Sequence, residues 1–182
     1  SYDQLVLVAK ALIDYKQQRQ LLDFTDLLEA WLRQGHVPSL DALFVDEAQD
    51  LSKIQWEVVH KIGQQVPLKY AAGDDDQAIY HWAGAAVDEF INLPGEKTVL
   101  SHSYRIPQAV HTVATDLLRN INIRHKKEFT HNGQAGDVTY HYSAEDLDLS
   151  HGEWLLLARN AYLLRDYERI CEQNGYPYES PS

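Results

Sequence analysis

The sequence predicts an α/β fold, a mostly parallel sheet flanked by helices. Short apolar runs end at glycine or at clustered acids, as buried strands do. Between them lie longer segments whose apolar residues recur at helical spacing. The two kinds of segment alternate along the chain.

The elements follow in order. Leu5, Val8, Leu12 and Ile13 mark one face of a helix over roughly 2–18. Asp23 reads as an N-cap with Asp26 in the first turn, opening a helix whose apolar face is Leu27, Leu28, Trp31 and Leu32. Gly35 and Pro38 end it. Residues 43–45 form a short buried strand. Ile54, Val58, Val59 and Ile62 pattern the next helix, stopped near Gly63 and Pro67. Residues 68–72 form a second buried strand ending at Gly73, and 98–100 a third. A long helix is expected over 106–121, with Pro107 in its first turn. A polar, basic stretch follows over 124–134, with Asn132-Gly133 as a turn signal. Residues 138–142 alternate like a strand and 154–157 read as a buried one. Leu163, Leu164, Tyr167, Ile170 and Cys171 pattern a last helix, closed by Gly175 and Pro177. A domain boundary is expected between 101 and 137.

Composition narrows the function. The chain has 182 residues, 45% apolar and 24% charged, in the range of an ordinary globular protein. One cysteine excludes an internal disulfide framework and fits a reducing compartment, so a cytoplasmic location is expected. No apolar run approaches the roughly 20 residues that span a bilayer. A net charge of −11 argues against an autonomous module that holds nucleic acid through phosphates. A local site that works by stacking remains compatible with it. The absence of methionine leads to the expectation of a fragment of a longer protein.

Two segments carry the most specific chemistry. Residues 43–50 read Leu-Phe-Val-Asp-Glu-Ala-Gln-Asp, and 73–85 read Gly-Asp-Asp-Asp-Gln-Ala-Ile-Tyr-His-Trp-Ala-Gly-Ala. Asp46 and Glu47 stand where a strand meets its loop. There Asp46 suits Mg²⁺ held partly through water, and Glu47 suits deprotonation of an attacking water. The plainer alternative is a capped turn before a helix. Asp74, Asp75 and Asp76 in a row are costly unless solvated, hydrogen-bonded or near a cation. Gln77 can accept from a water and donate to a phosphate, or it belongs to an acidic surface turn. Tyr80 and Trp82 are either stacking platforms for bases or core aromatics. Arg105 precedes the long helix at a position that favours anions; Tyr104 beside it could stack on a base. A surface ion pair is the alternative for Arg105. The nine histidines lack metal-site spacing, and no Gly-x-Ser-x-Gly elbow occurs, so a nucleophilic hydrolase is rejected.

Taken together, Asp-Phe-Thr-Asp-Leu-Leu (23–28), Val-Asp-Glu-Ala-Gln-Asp (45–50), the 73–85 segment, Ser-Tyr-Arg (103–105) and Leu-Leu-Ala-Arg-Asn (156–160) follow one another in an order that resembles the UvrD/Rep/PcrA-like superfamily 1 DNA helicases. The resemblance covers nearly the whole chain. It implies a RecA-like (P-loop NTPase type) fold, here incomplete: the later part of a first motor domain over 1–100, a connecting helix and linker over 101–136, and the start of a second RecA-like domain over 137–182. It implies ATP and Mg²⁺ as cofactors, and single-stranded or single/double-strand junction DNA as partner, with no membrane. Asp46 and Glu47 become the metal side of the site, with Glu47 the catalytic base. Gln77 senses the γ-phosphate, Tyr104 stacks on adenine and Arg105 contacts the γ-phosphate. Tyr80 and Trp82 line the single-strand path, and Arg159 and Asn160 match a segment near the DNA.

Departures from the family pattern matter too. Ala83 follows Trp82 where the family usually has arginine. Ala48 stands in place of the usual phenylalanine, and Ser103 in place of asparagine. No G-x-x-x-x-G-K-[ST] phosphate loop occurs in the 182 residues, so this chain alone is expected to lack meaningful ATPase activity. Three other readings remain at this point. One is a non-catalytic DNA-binding or interaction module derived from such a helicase. Another is the helicase part of a helicase–nuclease. The third is a Mg²⁺ phosphohydrolase using Asp46 and the acids at 74–76.

Overall fold

A computed structural model describes residues 2–180. Helix α1 spans Tyr2–Arg19 and α2 spans Phe24–Gln34. Strand β1 (Ala42–Val45) precedes α3 (Lys53–Gly63), and β2 (Leu68–Ala71) follows it. The short α4 (Val87–Ile91), α5 (Gln108–Leu118) and α6 (Arg165–Asn174) complete the helices. The architecture is α/β. β1 and β2 pair in parallel, Ala42 opposite Leu68 and Val45 opposite Ala71, with α3 as the crossover.

Local signals explain most of the helices. Asp23 caps α2 in a reciprocal box: its carboxylate accepts from the Asp26 N–H, and the Asp26 carboxylate accepts from the Asp23 N–H, each at 2.9 Å. Lys16 of α1 reaches both acids, at 2.8 and 2.6 Å, and so ties α1 to the start of α2. Ser52 and Gln55 form the equivalent box on α3. At the other end of α2, the Lys61 ammonium donates to the carbonyls of Trp31, Leu32 and Gly35 at 3.2, 2.8 and 3.1 Å, and lies 4.8 Å from the Trp31 ring centroid. A cation there satisfies orphan carbonyls and opposes the helix dipole. Gly175 closes α6 at φ 70°, a left-handed turn that glycine adopts without a Cβ penalty.

The principal core gathers where α2, β1, α3 and α4 meet. Trp56 is 1% exposed, with Val37, Ala48, Val66 and Val87 also buried. Leu149 and Cys171 are buried in the C-terminal part, where α6 packs on the turns at 144–146 and 161–164.

Several sequence expectations are corrected. Residues 98–100, 138–142 and 154–157 are not strands. A strand exists only where a neighbour completes its ladder, and alternating apolar residues cannot supply one. Near the first of these, His102 makes an isolated parallel bridge to Thr130 instead. The two strands that do form are not buried: Phe44 is 73% exposed and Tyr70 54%. Their rings lie in register and stack at 5.0 Å, covering each other on an otherwise open face. α1 buries none of its described residues, so its apolar residues are not a packed face. The 106–121 helix is shorter, Gln108–Leu118, and Pro107 is its N-cap in an extended conformation. Leu163 and Leu164 form a 3₁₀ turn ahead of α6. Among the described residues, no helix is long and apolar enough to cross a membrane.

Lys61→Met is expected to lower unfolding stability by up to about 2 kcal/mol, the upper range for a partly buried cation at a helix C-terminus. Urea denaturation checks this; an unchanged midpoint would show that the three carbonyls are equally well served by water.

Candidate nucleotide and nucleic-acid site

β1 delivers Asp46 and Glu47 to the sheet edge, and both side chains are exposed. The Asp46 Oδ1 accepts from the Glu47 N–H at 2.9 Å. Glu47 itself is left-handed (φ 48°, ψ 41°), a region that non-glycine residues rarely occupy. A 3₁₀ turn, Ala48–Asp50, follows at once and buries Ala48 and Gln49.

Next to it, the main chain of 72–74 runs against the same turn. The Ala72 N–H donates to the Val45 carbonyl at 2.8 Å, and the Ala48 N–H to the Ala72 carbonyl at 2.9 Å. Gly73 is required by close approach: a Cβ there would lie 2.4 Å from the Gln49 Oε1. The two motifs are joined through Gln49, which is 2% exposed. Its Nε2 donates to the Glu47 Oε2 at 2.8 Å, and its Oε1 accepts from the Asp74 N–H at 3.0 Å. The Gln77 Nε2 in turn donates to the Asp74 Oδ2 at 2.6 Å.

The three consecutive acids are matched by cations from the basic stretch. Arg124 makes a bidentate pair with Asp76, both contacts at 2.7 Å. Lys127 contacts Asp74 at 3.0 Å, Asp76 at 3.1 Å and also Asp75. The His125 N–H donates to Asp75 at 2.5 Å. These pairs commit the acids at 74–76 to structure and remove them as a free metal cluster. The phosphohydrolase reading loses the acids at 74–76 as ligands. Burial alone pushes the Asp74 carboxyl up, but hydrogen bonds from Gln77 and Lys127 outweigh it and hold the group below its ordinary 3.8. Burial alone lowers the Lys127 ammonium, but its bonds to Asp75, Asp74 and Asp76 hold it above 10.5.

A cleft of about 740 Å³ opens beside this network, lined among others by Gly73, Asp74, Gln77, Arg105, His125 and Lys127. The Arg105 side chain is exposed and has no hydrogen-bond or ion-pair partner among the described residues. The surface ion pair considered for it is therefore not formed. Asp46, Glu47 and Tyr104 do not line the cleft. Tyr104 is 85% exposed, and its ring meets His102 edge-on at 4.7 Å. Ser103 accepts from the Ile106 N–H at 3.1 Å, shaping the turn that carries Tyr104 and Arg105 into α5.

Tyr80 and Trp82 sit on the 3₁₀ turn His81–Ala83 and its N-cap, 44% and 81% exposed, with ring centroids 6.4 Å apart. They are not core residues. Arg159 and Asn160 are exposed just before the 161–164 turn, and no hydrogen bond, ion pair or ring contact joins them to Tyr80 or Trp82 among the described residues. Gln49, Arg124 and Lys127 were missed as site residues by sequence reasoning. The acids at 74–76 did signal a need for cations, and the 124–134 stretch was visibly basic. Nothing marked Gln49 as buried.

A model of the UvrD/REP helicase N-terminal domain matches residues 1–97. The chain belongs to the UvrD/REP helicase family. DNA helicase II of Escherichia coli (strain K12) is 33% identical over 138 residues, covering 68% of this chain and 19% of that protein. A probable DNA helicase of Mycoplasma pneumoniae is 28% identical over 187 residues, covering 93% and 34%. ATP-dependent DNA helicase PcrA of Leuconostoc citreum is 32% identical over 135 residues, covering 71% and 18%. The chain thus spans between 18% and 34% of the length of these relatives.

The acid–base cluster of this UvrD/REP-family chain sets a pH response. The Asp74 contribution is complete above the unfolded carboxylate value of 3.8 and is lost as pH falls through the depressed folded value. The Lys127 contribution is complete below 10.5 and is lost as pH rises through the raised folded value. The cluster's share of the melting temperature should be level across roughly pH 4 to 10 and fall on both sides. Lys127→Met should lower the level part and flatten the alkaline fall; a Lys127→Met curve parallel to wild type would rule the cluster out as its source.

Proposed function

We propose that this chain works as part of an ATP-dependent DNA helicase that couples ATP hydrolysis to movement on single-stranded DNA. The observation that carries the reading is the hydrogen-bonded run Gln77–Asp74–Gln49–Glu47, which links two acidic motifs beside a cleft lined by an unpaired arginine. The names of the relatives, DNA helicase II and ATP-dependent DNA helicase PcrA, support it. On this reading the fold is RecA-like. Residues 1–100 belong to a first motor domain, 101–136 to a connection, and 137–182 to the start of a second. The phosphate loop comes from outside these residues.

The Asp46 side chain fits Mg²⁺. It offers hard carboxylate oxygens, and its Oδ2 has no protein partner among the described residues. No group of three or more ligating side chains occurs among the described residues. That suits an ion completed by water and substrate phosphates rather than by a protein cage. Asp46, with Glu47 adjacent, would hold the ion, which supplies charge neutralisation at the phosphates. Glu47 keeps Oε1 free to take a proton from the attacking water while Gln49 holds Oε2. Gln77 spends its amide N–H on Asp74 and keeps its carbonyl oxygen to accept from that water. Arg105 brings positive charge to a phosphate, and Tyr104 offers a face to adenine. Tyr80 and Trp82 supply base-stacking faces. Arg159 and Asn160 would add DNA contacts from the second domain.

Glu47→Gln in a helicase carrying this segment is expected to abolish hydrolysis and retain nucleotide binding, read by steady-state ATPase and nucleotide titration. Unchanged turnover would remove Glu47 from the role of base. Trp82→Ala is expected to cost about 1–3 kcal/mol of single-strand affinity. Binding should weaken steeply with salt. Fluorescence anisotropy with an oligonucleotide reads both, and identical wild-type and variant curves would deny Trp82 a stacking role.

A further inference from the structure

The three hydrogen bonds that join Gln77 to Glu47 all run in one direction. Gln77 donates to the Asp74 carboxylate, the Asp74 N–H donates to Gln49, and Gln49 donates to Glu47. The middle member is the buried one. Its carboxamide has only one workable orientation. Turned over, its carbonyl oxygen would face the Glu47 carboxylate and its NH₂ would face the Asp74 N–H, so both contacts would become repulsive. Gly73 preserves the room it needs, since a Cβ there would lie 2.4 Å from the Gln49 oxygen. Glu47, by contrast, is exposed and sits on a left-handed backbone that does not by itself fix its carboxylate.

We infer that Gln49 is the positioning residue for Glu47, holding one carboxylate oxygen so that the other faces the attacking water, and coupling it to the 74–77 segment. This rests on the reading of Glu47 as the base. Gln49 does not touch substrate; it acts through Glu47 on one side and through the Asp74 backbone on the other. Displacement of Gln77 by a phosphate or by DNA would therefore reach Glu47 through Asp74 and Gln49, each step a direct hydrogen bond.

Two variants separate the role from mere packing. Gln49→Met keeps the volume and loses both hydrogen bonds. Gln49→Glu keeps the acceptor for Asp74 and loses the donor to Glu47. In the 182-residue chain, Gln49→Met should speed amide exchange at Asp74 about tenfold, whereas Gln49→Glu should leave it near wild type. In a helicase carrying this segment, both variants should lower kcat for ATP hydrolysis about 10- to 100-fold, the range for loss of an orienting partner. The KM for ATP and the nucleotide-binding stoichiometry should stay within about twofold. Full turnover in Gln49→Met, with Glu47→Gln inactive, overturns the role of Gln49 alone. So does a kcat that falls only in step with binding stoichiometry, or unchanged exchange at Asp74. Turnover that survives Glu47→Gln overturns the reading of Glu47 and the role of Gln49 with it.

Discussion

The arrangement of the site depends on one electrostatic match. Three consecutive aspartates cannot share a partly buried turn without compensating positive charge. Arg124 and Lys127, about fifty positions later, supply it. That match pins the 73–77 segment against the stretch following α5. It also places Gln77, Arg105 and Lys127 around one cleft. The hydrogen bond from the Asp74 N–H to Gln49 then carries the order across to the Asp46–Glu47 turn. The acidic network is thus assembled by long-range pairing laid over a two-stranded sheet.

The acids divide by what surrounds them. Asp75 and Asp76 have side chains only 5% exposed, and cations from a distant segment neutralise them. Asp46 and Glu47 are exposed, and no cation pairs with either among the described residues. Carboxylates of the first kind hold structure. Carboxylates of the second kind stay available to an ion and to a proton. The division sorts five neighbouring acids into buried, cation-paired groups and exposed, unpaired ones without recourse to any motif, and it places Asp74 between the two. Asp74 pairs with Lys127 but also receives Gln77 and donates its backbone N–H to Gln49.

What the sequence made legible was local. The cap at Asp23, the glycine stop at Gly175 and the helical spacing of α3 involve neighbours within a turn, and each formed as read. The strands expected at 98–100, 138–142 and 154–157 depend on a partner elsewhere in space, and periodicity carries no information about that partner. The same limit applied at the site. Asp46, Glu47 and Gln77 stand out as candidates because their motifs are contiguous. Gln49 lay inside one of those motifs yet was passed over, because its burial is decided by the 72–74 backbone passing over it. The exclusion of a core role for Tyr80 and Trp82 also turned on tertiary exposure.

Charge usage bears on how an acidic chain can serve a nucleic acid. Lys16, Lys61, Arg124 and Lys127 are all engaged with carboxylates or helix carbonyls inside the chain. None of these is free to grip a phosphate backbone. Trp82, at 81% exposed, presents a large π-face without any of that cost, and Tyr80 lies beside it at an angle of 51°. Stacking tolerates any base and needs no net positive charge. On the proposed function, an exposed aromatic pair is the contact with nucleic acid most compatible with a net charge of −11. On the proposed function, the unpaired Arg105 of the cleft wall would act on a phosphate at short range rather than on a strand at long range.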